Sequence, residues 1–192
     1  MRVFIATLLL AGAGAGAAAA TLTPVATIDP ASRFEFSLST RWGQTLAGHF
    51  PEAHGEVVLL GDGRRQVRIT LATSNVEILD HPRYTRFARG PRFFDAARFP
   101  QVQFLSDPYT AALLREGGVL PGRLRMHGIE RREQFEVEPA QCGNPGRDCD
   151  IVAQGKVLRG NFDLGSWRFA LRDEVRFSLR VRLRDTVATD AQ

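Results

Sequence analysis

The segment Glu174-Val175-Arg176-Phe177-Ser178-Leu179-Arg180-Val181-Arg182-Leu183-Arg184 constrains the fold more than any other. Five apolar side chains alternate with polar ones, mainly arginine. A strand sends these two sets to opposite faces, whereas a helix would mix them. The arginine stripe is therefore first of all the wet face of a sheet. Arg33 to Ser39 and Gln66 to Leu71 alternate just as strictly, and shorter strand signals occur at Glu56–Leu60, Gln101–Leu105, Val119–Met126, Glu133–Glu138 and Ile151–Leu158. Gly61-Asp62-Gly63 between two of them suits a hairpin turn. Many short strands separated by Gly, Pro and Asp predict an all-β sandwich or barrel, and closure into a barrel removes the exposed edges that long strands otherwise carry.

One stretch breaks the pattern. Ser74 to Phe99 holds Asp80, Pro82, Tyr84, Phe87, Phe93, Phe94 and Phe99 without useful alternation, and it reads as one or two short helices or a compact excursion between strands. Such an aromatic-rich segment can cap or plug a barrel, or simply complete its core. No internal repeat or linker is visible.

Charge and composition narrow the function classes. With 192 residues, 44% hydrophobic and 24% charged, the chain fits one globular domain. Its 25 basic residues against 21 acidic ones include a single lysine, Lys156, and they are scattered rather than clustered, which argues against a nucleic-acid partner. Arg2, the apolar run Val3–Leu10 and the small residues Ala18-Ala19-Ala20 predict a secretory signal over residues 1–20, with a mature domain over 21–192. The alternative is retention as an uncleaved anchor. No cysteine follows the apolar run, so a lipoprotein signal is not indicated, and export makes the periplasm the expected location. In an oxidising compartment, Cys142 and Cys149 around Gly-Asn-Pro-Gly-Arg-Asp read as a structural disulfide at a hairpin end.

The sequence offers no catalytic or metal constellation. His49, His54, His81 and His127 form no H-x-x-x-H or H-E-x-x-H pattern, and G-x-S-x-G and phosphate-loop motifs are absent. The expectation is a protein that is not an enzyme and uses no cofactor and no metal.

Four motifs in order resemble the YceI family. They are Ala26 to Ser32, then Arg89-Gly90-Pro91-Arg92-Phe93-Phe94-Asp95 through Phe99-Pro100-Gln101-Val102-Gln103-Phe104, then Gly122 to Ile129, and finally Asn161-Phe162-Asp163-Leu164-Gly165 followed by Asp173-Glu174-Val175. The resemblance spans nearly the whole mature chain. It implies a lipocalin-like antiparallel β-barrel of about eight strands, exported, holding a polyisoprenoid or similar amphiphilic lipid such as a quinone lengthwise in its interior. Storage or transport by burial and release would then need no covalent chemistry. An enzyme acting on such a lipid and a solid-core, stress-protective partner protein are the competing readings.

On that reading the inward faces supply Phe34, Phe36, Leu38, Val67, Ile69, Leu71, Phe104, Phe177, Leu179 and Val181 as ligand-binding candidates, each equally at home in an ordinary core. Phe87, Phe93 and Phe94 are candidates for the cap or mouth, and Trp167 for lining the ligand or anchoring the barrel. Arg83, Arg86 or Arg89 suits a phosphate or polar headgroup. Pro82 disfavours helix at His81, which predicts a rearranged lid relative to the charged helical stretch of relatives. A homodimer is compatible with a lipid-loading barrel, without a residue-level argument for it.

Overall fold

The computed structural model describes residues 23–186; the expected secretory signal lies outside them. Twelve antiparallel strands form one sheet: β1 (Thr23–Ile28), β2 (Arg33–Thr40), β3 (Thr45–His49), β4 (Ala53–Leu59), β5 (Arg65–Ala72), β6 (Glu77–Ile78), β7 (Gln101–Ser106), β8 (Gly118–Met126), β9 (Ile129–Val137), β10 (Ile151–Leu158), β11 (Leu171–Val181) and β12 (Leu183–Asp185). Two short helices, α1 (Pro82–Arg89) and α2 (Ala112–Glu116), lie between strands.

The sheet has twelve strand segments where about eight strands are expected, and four of them, β2, β4, β6 and β12, follow their predecessors across a break. β1 and β2 together face β3 and β4, since Thr27 pairs with Glu56 and Glu35 with His49. β4 and β3 in turn face β5 and β6. β11 pairs with β10 on one side and β2 on the other, and after Arg182 the same chain pairs with β1 as β12. The ladder thus returns to β1 through β12 at the lower end, while at the upper end it stops at β6, so the sheet curls into a barrel that is open along one upper edge among the described residues. The interruptions at Asp29–Ser32, Phe50–Glu52, Thr73–Val76 and Arg182 fall side by side, bridged by Asp29 N–H to the Arg182 carbonyl (2.9 Å), Phe50 N–H to Phe34 (2.9 Å) and Ala72 N–H to Glu52 (3.0 Å). Pro30 and Pro51 have no N–H to give to a ladder, which is why the strands break there. The wall is creased along this line, while β7 to β10 run unbroken.

The alternation read from sequence becomes inside and outside. Phe34, Phe36 and Leu38 of β2, Val67, Ile69 and Leu71 of β5, and Val175, Phe177, Leu179 and Val181 of β11 are all buried. The intervening arginines are solvated, and some pair at the surface, Arg176 with Glu174 at 2.7 Å and Arg182 with Asp150 at 2.7 Å. At mid-height Phe36, Phe104, Phe135 and Phe177 meet across the lumen, with ring centroids 5.0 Å apart for Phe104–Phe135 and 6.3 Å apart for both Phe135–Phe177 and Phe36–Phe177. Glycine on the neighbouring strand makes room for this waist. A Cβ on Gly48 would stand 2.5 Å from Phe36 Cζ, and one on Gly155 would stand 2.6 Å from Phe135 Cδ1.

Strand direction sorts the connections to two ends. The β2–β3 turn, the 73–100 excursion, the 127–128 turn and residues 159–170 close the upper end. The β4–β5 turn, residues 107–117 with α2, and residues 138–150 close the lower one. Cys142 and Cys149 form a disulfide in the 138–150 connection, and Arg147 and Arg182 tie that connection to Asp185 and Asp150. α2, which no sequence signal announced, sends Leu114 into the lower core beside Tyr109.

Candidate functional site

The upper end carries an open apolar pocket of about 460 Å³, within the range of small-ligand sites. Leu38, Thr40, Leu46 and Ile78 form its floor, where the inner faces of β2, β3 and β6 run out. Arg83, Tyr84, Phe87 and Ala88 of α1 form one side, and Trp42, Gln44, Phe93, Trp167, Phe169, Ala170 and Leu171 complete the ring.

α1 is held in place by polar contacts behind its apolar face. Pro82 occupies its first turn, where a missing N–H costs nothing, and His81 before it is non-helical, as a residue preceding proline should be. Proline therefore begins the lid helix here. The Thr85 hydroxyl accepts from Ile78 N–H (2.9 Å) and lies 3.2 Å from the Ile78 carbonyl, to which it donates. Arg89 Nε donates to the Val76 carbonyl (2.9 Å). These contacts tie the helix to β6 and turn Tyr84, Phe87 and Ala88 toward the pocket. Arg83 also lines it, whereas Arg89 is engaged with Val76 and lies 3.9 Å from Glu77.

The opposite side is fixed by one buried cation. Arg159 is 1% exposed, and its guanidinium donates to the carbonyls of Leu164, Ser166 (2.6 Å), Leu171 (3.4 Å) and Arg172 (2.9 Å). Burial pulls its pKa down, opposed by the nearby Asp173 carboxylate. The loop that presents Trp167 and Phe169 is thus wound around a single side chain whose planar fork of donors matches four backbone acceptors.

From this rim an unbroken series of aromatic contacts leads inward: Phe169–Trp167 (5.2 Å), Trp167–Phe87 (5.0 Å), Phe87–Phe93 (6.2 Å), Phe93–Phe94 (5.1 Å), Phe94–Phe50 (5.8 Å) and Phe50–Phe36 (5.4 Å). It ends at the waist. Among the candidates named from sequence, Leu38, Phe87 and Phe93 line the open pocket, and Phe36, Leu38, Phe93, Phe94 and Phe177 enclose a void of about 20 Å³ beneath it. Val67, Ile69, Phe104, Leu179 and Val181 line a separate void of about 60 Å³ below the waist. Phe34 and Leu71 are buried in the wall and border none of these three spaces. Trp42, Leu46, Ile78, Phe169 and Leu171 were not singled out from sequence, because three of them sit in or beside turns, where no period marks a facing side. Among the described residues no group of three or more His, Cys, Asp or Glu could hold a metal ion.

The sequence profile of the YceI-like domain matches residues 27–183. The chain belongs to the YceI-like family. This YceI-like chain is similar in fold to BcnA of Burkholderia cenocepacia, with 18% identity, a TM-score of 0.67, and coverage of 82% of this chain and 99% of that one. A polyisoprenoid binding domain from Saccharophagus degradans aligns with 13% identity, a TM-score of 0.63, and coverage of 85% and 100%. The YceI protein of Campylobacter jejuni aligns with 15% identity, a TM-score of 0.53, and coverage of 72% and 84%. At such identities the likeness is one of fold. No curated protein matches this YceI-like sequence.

Proposed function

We propose that this protein is an extracytoplasmic carrier that binds a polyisoprenoid or similar amphiphilic lipid, by burial and without covalent chemistry. The observation that carries the reading is the open apolar mouth of about 460 Å³, flanked by α1 and ringed by aromatic side chains. Such a site removes hydrocarbon from water at about 25 cal/mol per Å² before association costs. The YceI-like family and the fold shared with the Saccharophagus polyisoprenoid binding domain support the same ligand class. The predicted signal at residues 1–20 and the disulfide support export to the periplasm.

In this reading Phe87, Phe93, Trp167 and Leu38 grip the first part of the chain, and Arg83 stands where a polar head would emerge. A tail longer than the mouth enters the lower half only when Phe36 and Phe177 swing from the waist. Phe34, Val67, Ile69, Leu71, Phe104, Leu179 and Val181 then act mainly as wall and core.

The test is native mass spectrometry of the protein purified from its export compartment, followed by organic extraction. A discrete bound isoprenoid is the expected result and identifies the headgroup. A protein that is bare, and stays bare after incubation with quinones and polyprenyl phosphates, overturns the proposal and favours a filled barrel.

A further inference from the structure

The residues at the pocket's rim do more than line it. Phe169 is 71% exposed, Trp42 70%, Tyr84 47% and Trp167 37%, an unusual concentration of large aromatics in water, drawn from three separate connections at one end of the barrel. Burial of cargo inside the barrel does not account for it, since Trp42 and Phe169 project most of their surface outward.

Charge separates the same two ends. The upper connections, residues 41–44, 79–100, 127–128 and 159–170, contain eight arginines against three acidic residues, Asp80, Asp95 and Asp163. The lower ones, residues 60–64, 107–117 and 138–150, contain three arginines against six acidic residues. At the upper end Arg159 is buried, Arg89 lies near Glu77 and Arg98 near Asp95. Arg41, Arg83, Arg86, Arg92 and Arg168 have no carboxylate within 4.0 Å among the described residues.

We propose that the upper end docks on the surface of an anionic phospholipid bilayer, with Trp42, Tyr84 and Phe169 seated in the interface and the uncompensated arginines against lipid phosphates. The indole of Trp42 and the phenol of Tyr84, rings with a polar edge, favour the headgroup level of a membrane, the wholly apolar ring of Phe169 suits the acyl boundary beneath it, and guanidinium groups suit phosphate oxygens. A negative surface attracts each nearby cation, within a Debye length. The acidic lower end is repelled by the same surface, so the field orients the barrel mouth-down. The proposal rests on the carrier reading for its purpose, because it brings the pocket to where an apolar ligand resides, but docking itself is measurable without cargo.

The chain's two tryptophans are Trp42 and Trp167, so its intrinsic indole fluorescence reports on this rim alone. The experiment mixes delipidated protein with vesicles of phosphatidylglycerol and phosphatidylethanolamine, or of phosphatidylcholine alone, and reads emission, quenching by brominated acyl chains and co-sedimentation. The expected result is a blue shift, quenching and sedimentation with the anionic vesicles, each at least tenfold weaker with phosphatidylcholine or at 0.5 M salt. The double variant Arg41→Glu/Arg86→Glu should weaken partitioning at least tenfold, while Arg115→Glu at the lower end leaves it unchanged.

Absence of sedimentation with anionic vesicles overturns docking, as does equal loss from the lower-end variant. A concentration-dependent blue shift without vesicles, accompanied by dimer formation, overturns it in favour of a second copy covering the rim. Native mass spectrometry after vesicle removal separates this from the carrier reading: docking alone adds no mass, whereas uptake of a lipid does. A protein that docks yet never retains lipid sinks the carrier proposal and leaves this one standing.

Discussion

Above the waist the barrel is open, aromatic and edged with arginine; below it the lumen is closed, mostly aliphatic and filled. Both halves come from the same alternating strands, and both bury the inward set. What differs is the closure. Below, α2 inserts Leu114 and the connection before it inserts Tyr109, leaving about 60 Å³. Above, α1 stands across the mouth without filling it, leaving about 460 Å³. Alternation thus builds a wall, whereas the irregular connections decide whether the space inside it becomes core or site.

The contrast can be broken from either side. The largest effect on stability belongs below: Leu179→Ala should cost about 2–5 kcal/mol in urea unfolding, as deletion in a closed core does, while ligand retention at the mouth persists. Alkaline pH should act on the same half. Burial pushes the Tyr109 phenol up to about 12 from 10.0, slightly opposed by Arg65. The folded state therefore holds a proton that the unfolded chain releases near pH 10, so stability complete below pH 10 falls as pH rises to 12, by about 3 kcal/mol. Unfolding titrations should show this decline in the wild type and its loss in Tyr109→Phe.

Next in size is the staple at the lower end. Replacing Cys142 and Cys149 by serine removes a short closed loop and should cost about 2 kcal/mol by chemical denaturation. The smallest stability effect belongs above. Phe87→Ala, at a half-buried position beside open space, should cost about 1 kcal/mol, yet lower the retained lipid about tenfold by extraction and mass spectrometry. Equal damage to folding and binding from the two halves would erase the distinction.

The wall was legible because burial on one face imposes a two-residue period, and β2, β5 and β11 carry it without interruption. β3 escaped notice since Gly48 occupies an inward position where the pattern calls for an apolar side chain, and it does so to admit Phe36. α2 has five residues, too few for a helical period to show. At the mouth, Phe87 and Phe93 could be picked out by their place in the excursion. Trp42 and Phe169 could not, because turns bring together residues about 127 apart by closure of the barrel rather than by any local signal, as Arg41 meeting the Arg168 carbonyl illustrates. Arg159 was hidden among arginines that face water; only the convergence of four carbonyls sets it apart.

The crease through Asp29–Ser32, Phe50–Glu52, Thr73–Val76 and Arg182 makes the barrel unequal around its circumference. The strands β7 to β10 form an unbroken side of the wall, whereas β2, β3 and β6 above the crease are joined to it through the β2–β11 ladder, and the outer edge of β6 pairs with no further strand among the described residues. The pocket floor and α1 therefore stand at an upper margin of the sheet that ladder hydrogen bonds hold from a single side among the described residues.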